Sequence, residues 1–313
     1  MSHQWKNHLD QLIFLGPACL LLAMFLLAPI VVNFLVAFTE MAQTIHFDNF
    51  PTTRQFEKLG KLDADAFFGF ELRGSFFKAL ALSGTFVFFT LLFFNLSFAL
   101  ILALTTTSMP ERLGSFFRAV WLLPRMSPSV VYALLWLWVV DASERGLFNQ
   151  IWMFFGGEPL NLRLNFSMVV IVVANGLIGA SLGMVIFTSA IRSIPIQLFH
   201  AARADGAGSF ALIRHIILPA LRWPISYITI YQALALLVSF EYIFLIMGPA
   251  RQTMTMAMLS YTKTLAPQIG GGQYAYGAAI ALILIVIGII AALGMWRLTK
   301  MDRLLQRPRI EVR

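Results

Sequence analysis

The chain has 313 residues and a mass of 35.1 kDa, and its residues are 59% apolar but only 12% charged. A soluble domain carries about 45–50% apolar and about 25% charged residues, so this composition excludes an ordinary soluble fold. The net charge of +8 would indicate a nucleic-acid partner in a soluble protein. In a membrane protein, basic residues flank the spans on the cytoplasmic side, so we expect a lipid bilayer and no nucleic acid.

Six apolar stretches are long enough to cross a membrane, which takes about 20 residues. They cover 12–38, 79–104, 119–140, 166–191, 224–247 and 275–296. The first is too long for the apolar part of a cleavable signal peptide and is expected to be an uncleaved span. Pro124 and Pro128 predict a kink or break near the start of the third span. The sequence therefore predicts an all-α integral membrane fold with six transmembrane helices in a single domain over 1–313.

The charged residues between the spans indicate the orientation of the chain. If the N-terminus lies inside, the inside segments carry a net charge of +8 and the outside segments a net charge of zero. Basic residues are enriched on the cytoplasmic side of membrane proteins, so both termini are predicted to be cytoplasmic. Arg125 and Glu241 are the two charged residues left within the spans.

Residues that could bind a metal or carry catalysis are scarce. Cys19 is the lone cysteine, and the five histidines are scattered without the spacing of a metal site. The sequence lacks the GxxxxGKS/T loop that binds phosphates, so the chain is not expected to hydrolyse ATP itself. We therefore expect neither a metal nor an enzymatic activity in this chain.

Among the inside connections, the loop 192–223 is the one whose sequence predicts a defined structure. Gln197–Ala204 and Ser209–Ile217 are expected to form short helices joined by a tight corner at Asp205 and Gly206. Glycine permits a positive φ at such a corner, and the Asp205 carboxylate can accept backbone N–H bonds there.

The second of these helices is expected to be amphipathic. Phe210, Ile213 and Ile217 have the spacing of one helical face, and Pro219 is expected to end the helix. The pair of helices is either an amphipathic hairpin on the membrane surface or a docking element for another protein.

The spacing of His200-Ala201-Ala202, Asp205-Gly206 and Leu218-Pro219 resembles the cytoplasmic loop of ABC importer permeases. In that family the loop is a coupling helix that docks in a cleft of the ATPase subunit. The resemblance implies that role for His200, Ala201, Ala202, Asp205, Gly206, Leu218 and Pro219. His200 stands where the family usually has glutamate, so any ion pair of that glutamate with the ATPase is absent or replaced by a hydrogen bond.

Looser similarities to maltose-type carbohydrate permeases occur at 123–131, 146–149, 240–242 and 276–279. They imply a type I ABC importer permease fold, a bacterial inner-membrane location, and import of a sugar, glycoside or polyol by alternating access. The implied partners are a second, similar permease in a heterodimer, an ATPase dimer and a periplasmic binding protein. ATP and Mg²⁺ would bind to the ATPase, and no cofactor is expected in this chain.

Five polar residues within the spans are candidates for lining a substrate path: Arg125, Asn95, Asn175, Gln232 and Glu241. Each has an alternative role. Arg125 can extend to the inner interface, Glu241 can lie at the outer interface, and the amides can form hydrogen bonds between helices. If the substrate is anionic, the guanidinium of Arg125 suits it. Gly179 and Gly183 have the small-xxx-small spacing of a contact between helices.

A secondary transporter driven by an ion gradient is the alternative to an ATP-driven importer. Such a protein would need acidic or histidine relays within the membrane, for which Glu241 is the one candidate. A membrane enzyme is disfavoured because the sequence lacks paired catalytic groups.

Overall fold

The computed structural model describes residues 15–41, 50–60, 75–265 and 272–299, and within these ranges the regular structure is entirely helical. Four helices in the described ranges are long and apolar enough to cross a membrane. Two bent helix pairs also reach that length when each pair is taken as one span. In chain order the first to the sixth span are Leu15–Ala37, Phe76–Ser108, Glu111–Met126 with Ser129–Val139, Ser167–Arg192, Arg222–Leu237 with Glu241–Met247, and Tyr274–Arg297. The helical membrane fold predicted from the sequence is confirmed.

Shorter helices connect the spans, and one further turn is of the 3₁₀ type at Arg251–Thr253. The short helices are Arg54–Gly60, Leu147–Phe154, Leu162–Asn165, Ile196–Ala204, Ser209–Ala220 and Met256–Leu265.

The third span is broken at the prolines that predicted a break. Ser127 is extended, with φ −74° and ψ 145°, because the ring of Pro128 disfavours a helical conformation in the residue before it. The helices on the two sides meet at an angle of 99°. The first of them begins at Glu111, so its polar first turns, from Glu111 to Arg118, precede the apolar spanning range 119–140, and the break lies in the middle of the element and not at its start.

The fifth span is also broken, which the sequence did not predict. Its two helices are bent by 51° at 238–240, where the sequence has neither proline nor glycine. At the break the hydroxyl of Ser239 donates to Oδ1 of Asn175 in the fourth span, at 3.5 Å. Kinks without proline arise where side-chain contacts interrupt the helical bonds, so the cause here is a contact between spans and not a local signal.

Phe77–Met258 and Val286–Arg313 form one compact unit, in which the fourth span is the most buried of the unbroken spans. Gly183 of this helix packs against the second span. A Cβ atom there would lie 2.6 Å from the carbonyl oxygen of Asn95 and 2.7 Å from the Cβ of Ala99. Gly179 lies against the side chain of Asn95 in the same way. The predicted helix contact at the two glycines is confirmed.

Met1–Phe76 and Leu259–Ile285 form the other compact unit. Within its described part, the N–H of Ala275 donates to the carbonyl of Met41 at 3.1 Å, and the hydroxyl of Ser260 donates to the carbonyl of Gly277 at 2.9 Å. The exposed residues of the first span between Leu20 and Leu35 are all apolar. Such a surface suits lipid tails.

Candidate functional site

The corner of the 192–223 loop is a helix C-terminus of defined geometry. Gly206 has a φ of +82°, as predicted. Its N–H donates to the carbonyl of Arg203 at 3.0 Å, and the N–H of Ala207 donates to the carbonyl of Ala202 at 2.9 Å. These two bonds with a left-handed glycine between them define a Schellman motif, which ends the helix Ile196–Ala204 and satisfies two of its last carbonyls.

The expectation that the Asp205 carboxylate accepts backbone N–H bonds at this corner is wrong. Within the described residues its carboxylate makes no hydrogen bond, and the side chain is exposed. The physical reason is that carbonyls of the preceding turn already accept the available N–H groups, including that of Asp205 itself, which donates to Ala201 at 3.0 Å. The carboxylate is therefore free to meet another molecule.

The second helix of the loop, Ser209–Ala220, turns a different face inward than predicted. Leu212 and Ile217 are buried, whereas Phe210 is 73% exposed. Residues 213–217 are π-helical, and the wider π turn brings positions five apart onto one side. Pro219 does not end the helix, which continues to Ala220, because its missing N–H falls in the turn after the π segment.

The residues that carry the family resemblance lie at the surface of the loop. His200, Ala201, Asp205, Gly206 and Pro219 are exposed, and two further residues, Ala202 and Leu218, are half-buried. The structure adds two exposed apolar side chains that the sequence did not single out, Ile196 and Leu198, beside the exposed Phe210. The loop thus presents apolar side chains around a small-residue helix, which is typical of a surface that docks into a groove. Which of these apolar side chains are exposed depends on the rotation of each short helix about its own axis, and the amino-acid composition does not determine that rotation.

An ion-pair network joins the start of this loop to the third span. Arg192 donates to Oε2 of Glu111 at 2.7 Å, and Arg118 lies 3.4 Å from Oε1 of the same carboxylate. The Ser115 hydroxyl donates to the carboxylate, and together with Arg192 it lowers the pKa of Glu111 below its usual value. An open cleft of about 1060 Å³ lies beside the network, between the end of the second span and the loop, and includes Arg203 in its wall.

The broken spans bring together charged and hydroxyl side chains. Ser129, the first residue after the break in the third span, donates its hydroxyl to Oε1 of Glu241, the first residue after the break in the fifth. Arg125 lies in the last turn before the first break, is exposed, and makes no ion pair within the described residues. The two charges predicted within the membrane therefore each lie beside a break, Arg125 before the one in the third span and Glu241 after the one in the fifth.

The three amides predicted for the path are buried. Gln232 donates its Nε2 to the carbonyl of Gly179 at 2.9 Å, a bond between the fifth and fourth spans. Asn175 donates to the carbonyl of Ile171 at 3.2 Å within its own helix. Asn95 is fully buried and has no hydrogen-bond partner within the described residues. Of the five predicted path residues, Arg125 and Glu241 are exposed, and the lining of a substrate path by any of the five stays a prediction.

Comparison with known proteins gives a consistent set of relatives. Residues 95–299 match the family described as binding-protein-dependent transport system inner membrane component. A probable ABC transporter permease protein of Pyrococcus horikoshii is 30% identical over 288 residues, covering 90% of this chain and 92% of that protein. The galactooligosaccharides transport system permease protein GanP of Bacillus subtilis is 28% identical over 298 residues, covering 91% and 69%.

Two solved structures share the fold. One is the crystal structure of a bacterial ABC transporter involved in the import of the acidic polysaccharide alginate, with a TM-score of 0.80 and 20% identity over 97% of this chain and 100% of that chain. The other is the bacterial alginate ABC transporter in complex with an alginate pentasaccharide-bound periplasmic protein, with a TM-score of 0.78 and 21% identity over 96% of both chains.

Proposed function

The chain belongs to the family of binding-protein-dependent transport system inner membrane components, and from that premise we propose that it is the permease of an ABC importer for a sugar, glycoside or polyol. Members of this family are transport subunits and not enzymes. The sugar class rests on relatives such as GanP, whose name states transport of galactooligosaccharides.

The observation that best supports this proposal is the shape of the 192–223 loop. A short helix of small residues ends in a Schellman corner at Gly206 and is flanked by exposed Ile196, Leu198 and Phe210. An apolar surface of this kind outside the spans calls for a protein partner. We assign an ATPase dimer, which holds ATP and Mg²⁺, as that partner, and we place the loop and both termini in the cytoplasm of a bacterial cell.

Transport then follows from movement of the loop. Closing of the ATPase dimer on ATP shifts the docked helix, and the shift tilts the spans as rigid bodies between inward and outward access. Arg192 connects the loop to Glu111 at the start of the third span, so the same movement is passed to the break beside Arg125. Arg125 and Glu241 line the path at these breaks and contact a neutral or acidic substrate.

The remaining partners follow from the same assignment. A second, similar permease completes the path as a heterodimer, and a periplasmic binding protein delivers the substrate at the outer side. The complex of the alginate transporter with its periplasmic protein supports this arrangement for a chain of the same fold.

Co-purification and transport in one preparation test the proposal. The chain is expressed with a candidate ATPase and a candidate second permease from the same organism, the complex is isolated, and uptake of radiolabelled sugars is measured in vesicles. We expect a stable complex whose uptake needs ATP. Uptake that continues without ATP and stops when an ion gradient is dissipated would identify a secondary transporter instead.

The orientation has its own test. A cysteine placed at Ser209, which is exposed on the loop, is introduced in a Cys19→Ala background. A membrane-impermeant thiol reagent should label it only after the cells are opened. Labelling in intact cells would contradict the cytoplasmic position of the loop.

A further inference from the structure

Three aromatic side chains form a continuous row on the exposed face of the fifth span. Trp223, Tyr227 and Tyr231 follow one another at intervals of one helical turn, and they are 42%, 38% and 46% exposed. The ring centroids are 5.7 Å apart in the first pair and 6.0 Å apart in the second, and the planes are parallel within 6° and 13°. This row, here called the aromatic ladder, adjoins the buried face that carries Ile228 and Gln232, which lies about 100° further around the helix.

The depth of the ladder does not suit contact with lipid tails. Tyr231 lies nine residues beyond Arg222, which corresponds to about 13 Å along a helix and so reaches well into a hydrocarbon layer of about 30 Å. Tyrosine and tryptophan at a lipid surface gather at headgroup depth, which accounts for Trp223 alone. Within the described residues the hydroxyls of Tyr227 and Tyr231 have no hydrogen-bond partner, and leaving them against hydrocarbon is unfavourable.

The sixth span shows what a lipid-facing surface of this protein looks like. Apart from Tyr274 and Arg297 at its two ends, its exposed large side chains are Ile285, Val286, Ile289, Ile290 and Leu293, which are all aliphatic. The exposed residues of the first span from Leu20 to Leu35 are apolar as well. The face of the fifth span differs from both because it carries hydroxyl groups on flat rings.

The ladder and the polar groups at the breaks follow one another along the chain. Beyond Tyr231 the helix ends at Leu237, and the chain passes through the break to Glu241, which is exposed and bonded to Ser129. A molecule that leaves the Glu241 cluster along the fifth span therefore meets Tyr231 first and Trp223 last.

We propose that the aromatic ladder is a sugar track that carries the substrate from the Glu241 cluster toward the Trp223 end of the fifth span. A pyranose ring has an apolar face of C–H groups that packs flat on an aromatic ring, while its hydroxyls bond to the phenol oxygens at the rim. Rings about 6 Å apart offer successive weak contacts, which hold a sugar without trapping it. This proposal rests on the proposed function, and it names the surface along which the importer moves its substrate.

Cysteine accessibility decides whether the ladder faces water. In a Cys19→Ala background, Tyr227→Cys and Tyr231→Cys are compared with Ile289→Cys, which lies at a similar distance from Arg297 as Tyr231 does from Arg222. The full complex in membranes is treated with a charged, water-soluble thiol reagent. We expect labelling at 227 and 231 and none at 289. Absence of labelling at 227 and 231 means that lipid or the second permease covers the face, and it overturns the track.

Transport by ring variants tests the contact with sugar. Uptake of radiolabelled maltose, lactose, cellobiose and xylobiose is measured for the unmodified complex and for Tyr231→Phe and Tyr231→Leu. We expect Tyr231→Leu to raise the KM for the transported sugar about fivefold with ATPase association unchanged, and Tyr231→Phe to stay within about twofold. Equal KM values for the unmodified and Leu complexes overturn the track but leave the importer intact. If the unmodified complex imports none of the four sugars, the sugar assignment of the proposed function and of the track is overturned together.

Discussion

Two regions in the described part of the chain carry groups suited to coupling and transport: the corner of the 192–223 loop and the contact between Ser129 and Glu241. The corner is built by neighbours in sequence, since its hydrogen bonds join Ala202, Arg203, Gly206 and Ala207. The Ser129–Glu241 contact joins residues 112 positions apart, each of which follows a break in a different span.

The difference determines how each region responds to change. A corner made by one left-handed residue depends on that residue alone, because the backbone conformation and not the packing sets its cost. A contact made by two broken spans depends on how the spans pack. Substitutions at distant glycines between the spans should therefore disturb it, as should substitutions of its own side chains. Substitutions with matched controls can separate these two kinds of dependence.

The largest effect is expected for Gly206→Val, compared with Gly208→Val. Both glycines have open space where a Cβ would go, but Gly206 has a φ of +82° and Gly208 a φ of −74°. A β-branched residue with a positive φ costs about 1–3 kcal/mol, which weakens capture of the ATPase by about tenfold. Gly208→Val should capture the ATPase almost normally. Pull-down of the ATPase measures both, and equal losses would show that bulk and not backbone conformation matters.

The packing of the spans is tested by Gly183→Ala, with Gly84→Ala as the control. A Cβ at position 183 would lie 2.6 Å from the carbonyl oxygen of Asn95, whereas nothing lies within 4 Å of a Cβ at position 84. Overpacking of this kind costs about 1–3 kcal/mol. We expect Gly183→Ala to lower the midpoint of thermal unfolding in detergent, and Gly84→Ala to leave it unchanged or slightly raised. A neutral Gly183→Ala would contradict close packing of the second and fourth spans.

The polar groups at the breaks are tested by Arg125→Gln, with Arg112→Gln as the control. Both arginines are exposed and lie in the same helix, but Arg125 is in the last turn before the break and Arg112 is in the first turn. We expect Arg125→Gln to assemble normally and to lower uptake about tenfold, the equivalent of about 1.4 kcal/mol. Arg112→Gln should transport normally. Normal uptake by Arg125→Gln would make it a residue of the interface that takes no part in transport.

The two regions also differ in how far the sequence could predict them. The positive φ of Gly206 follows from a local pattern, because only glycine enters that conformation without strain, and the prediction is confirmed. The predicted hydrogen bonds to the Asp205 carboxylate are absent, because backbone carbonyls of the preceding turn accept the N–H groups at the corner. The π segment at 213–217, which turned Phe210 outward, leaves no signal in hydrophobic periodicity.

The two broken spans show more clearly which features of the fold the sequence alone cannot predict. Pro128 predicted the break in the third span because proline restricts the residue before it. The break in the fifth span has no such residue, and its position beside Asn175 depends on packing between spans. Burial of the three amides likewise depends on which helix faces which, so the sequence could name Gln232 as a polar residue but could not choose between its two roles.

The smallest effect is expected at the contact that connects the two regions, in Glu111→Gln. The Ser115 hydroxyl, and then Arg192, lower the pKa of the Glu111 carboxyl, so the folded chain holds the ionised form more strongly than the unfolded chain does. The stabilisation is therefore present above the unfolded pKa and is lost as the pH falls through the folded pKa. Because the carboxylate is exposed and screened by salt, the loss of stability in Glu111→Gln at pH 7 should be smaller than the effect of any substitution above.

Thermal unfolding of Glu111→Gln and of the unmodified chain should differ slightly at pH 7, and the two midpoints should converge in acid below the usual carboxyl range. Glu144→Gln, at an exposed carboxylate with no ion pair in the described part of the chain, is the control and should show no such convergence. If Glu111→Gln leaves stability unchanged but reduces uptake per ATP hydrolysed, the contact passes movement between the regions and does not stabilise the resting fold. A difference that persists unchanged in acid would rule out the ionised carboxylate as its cause.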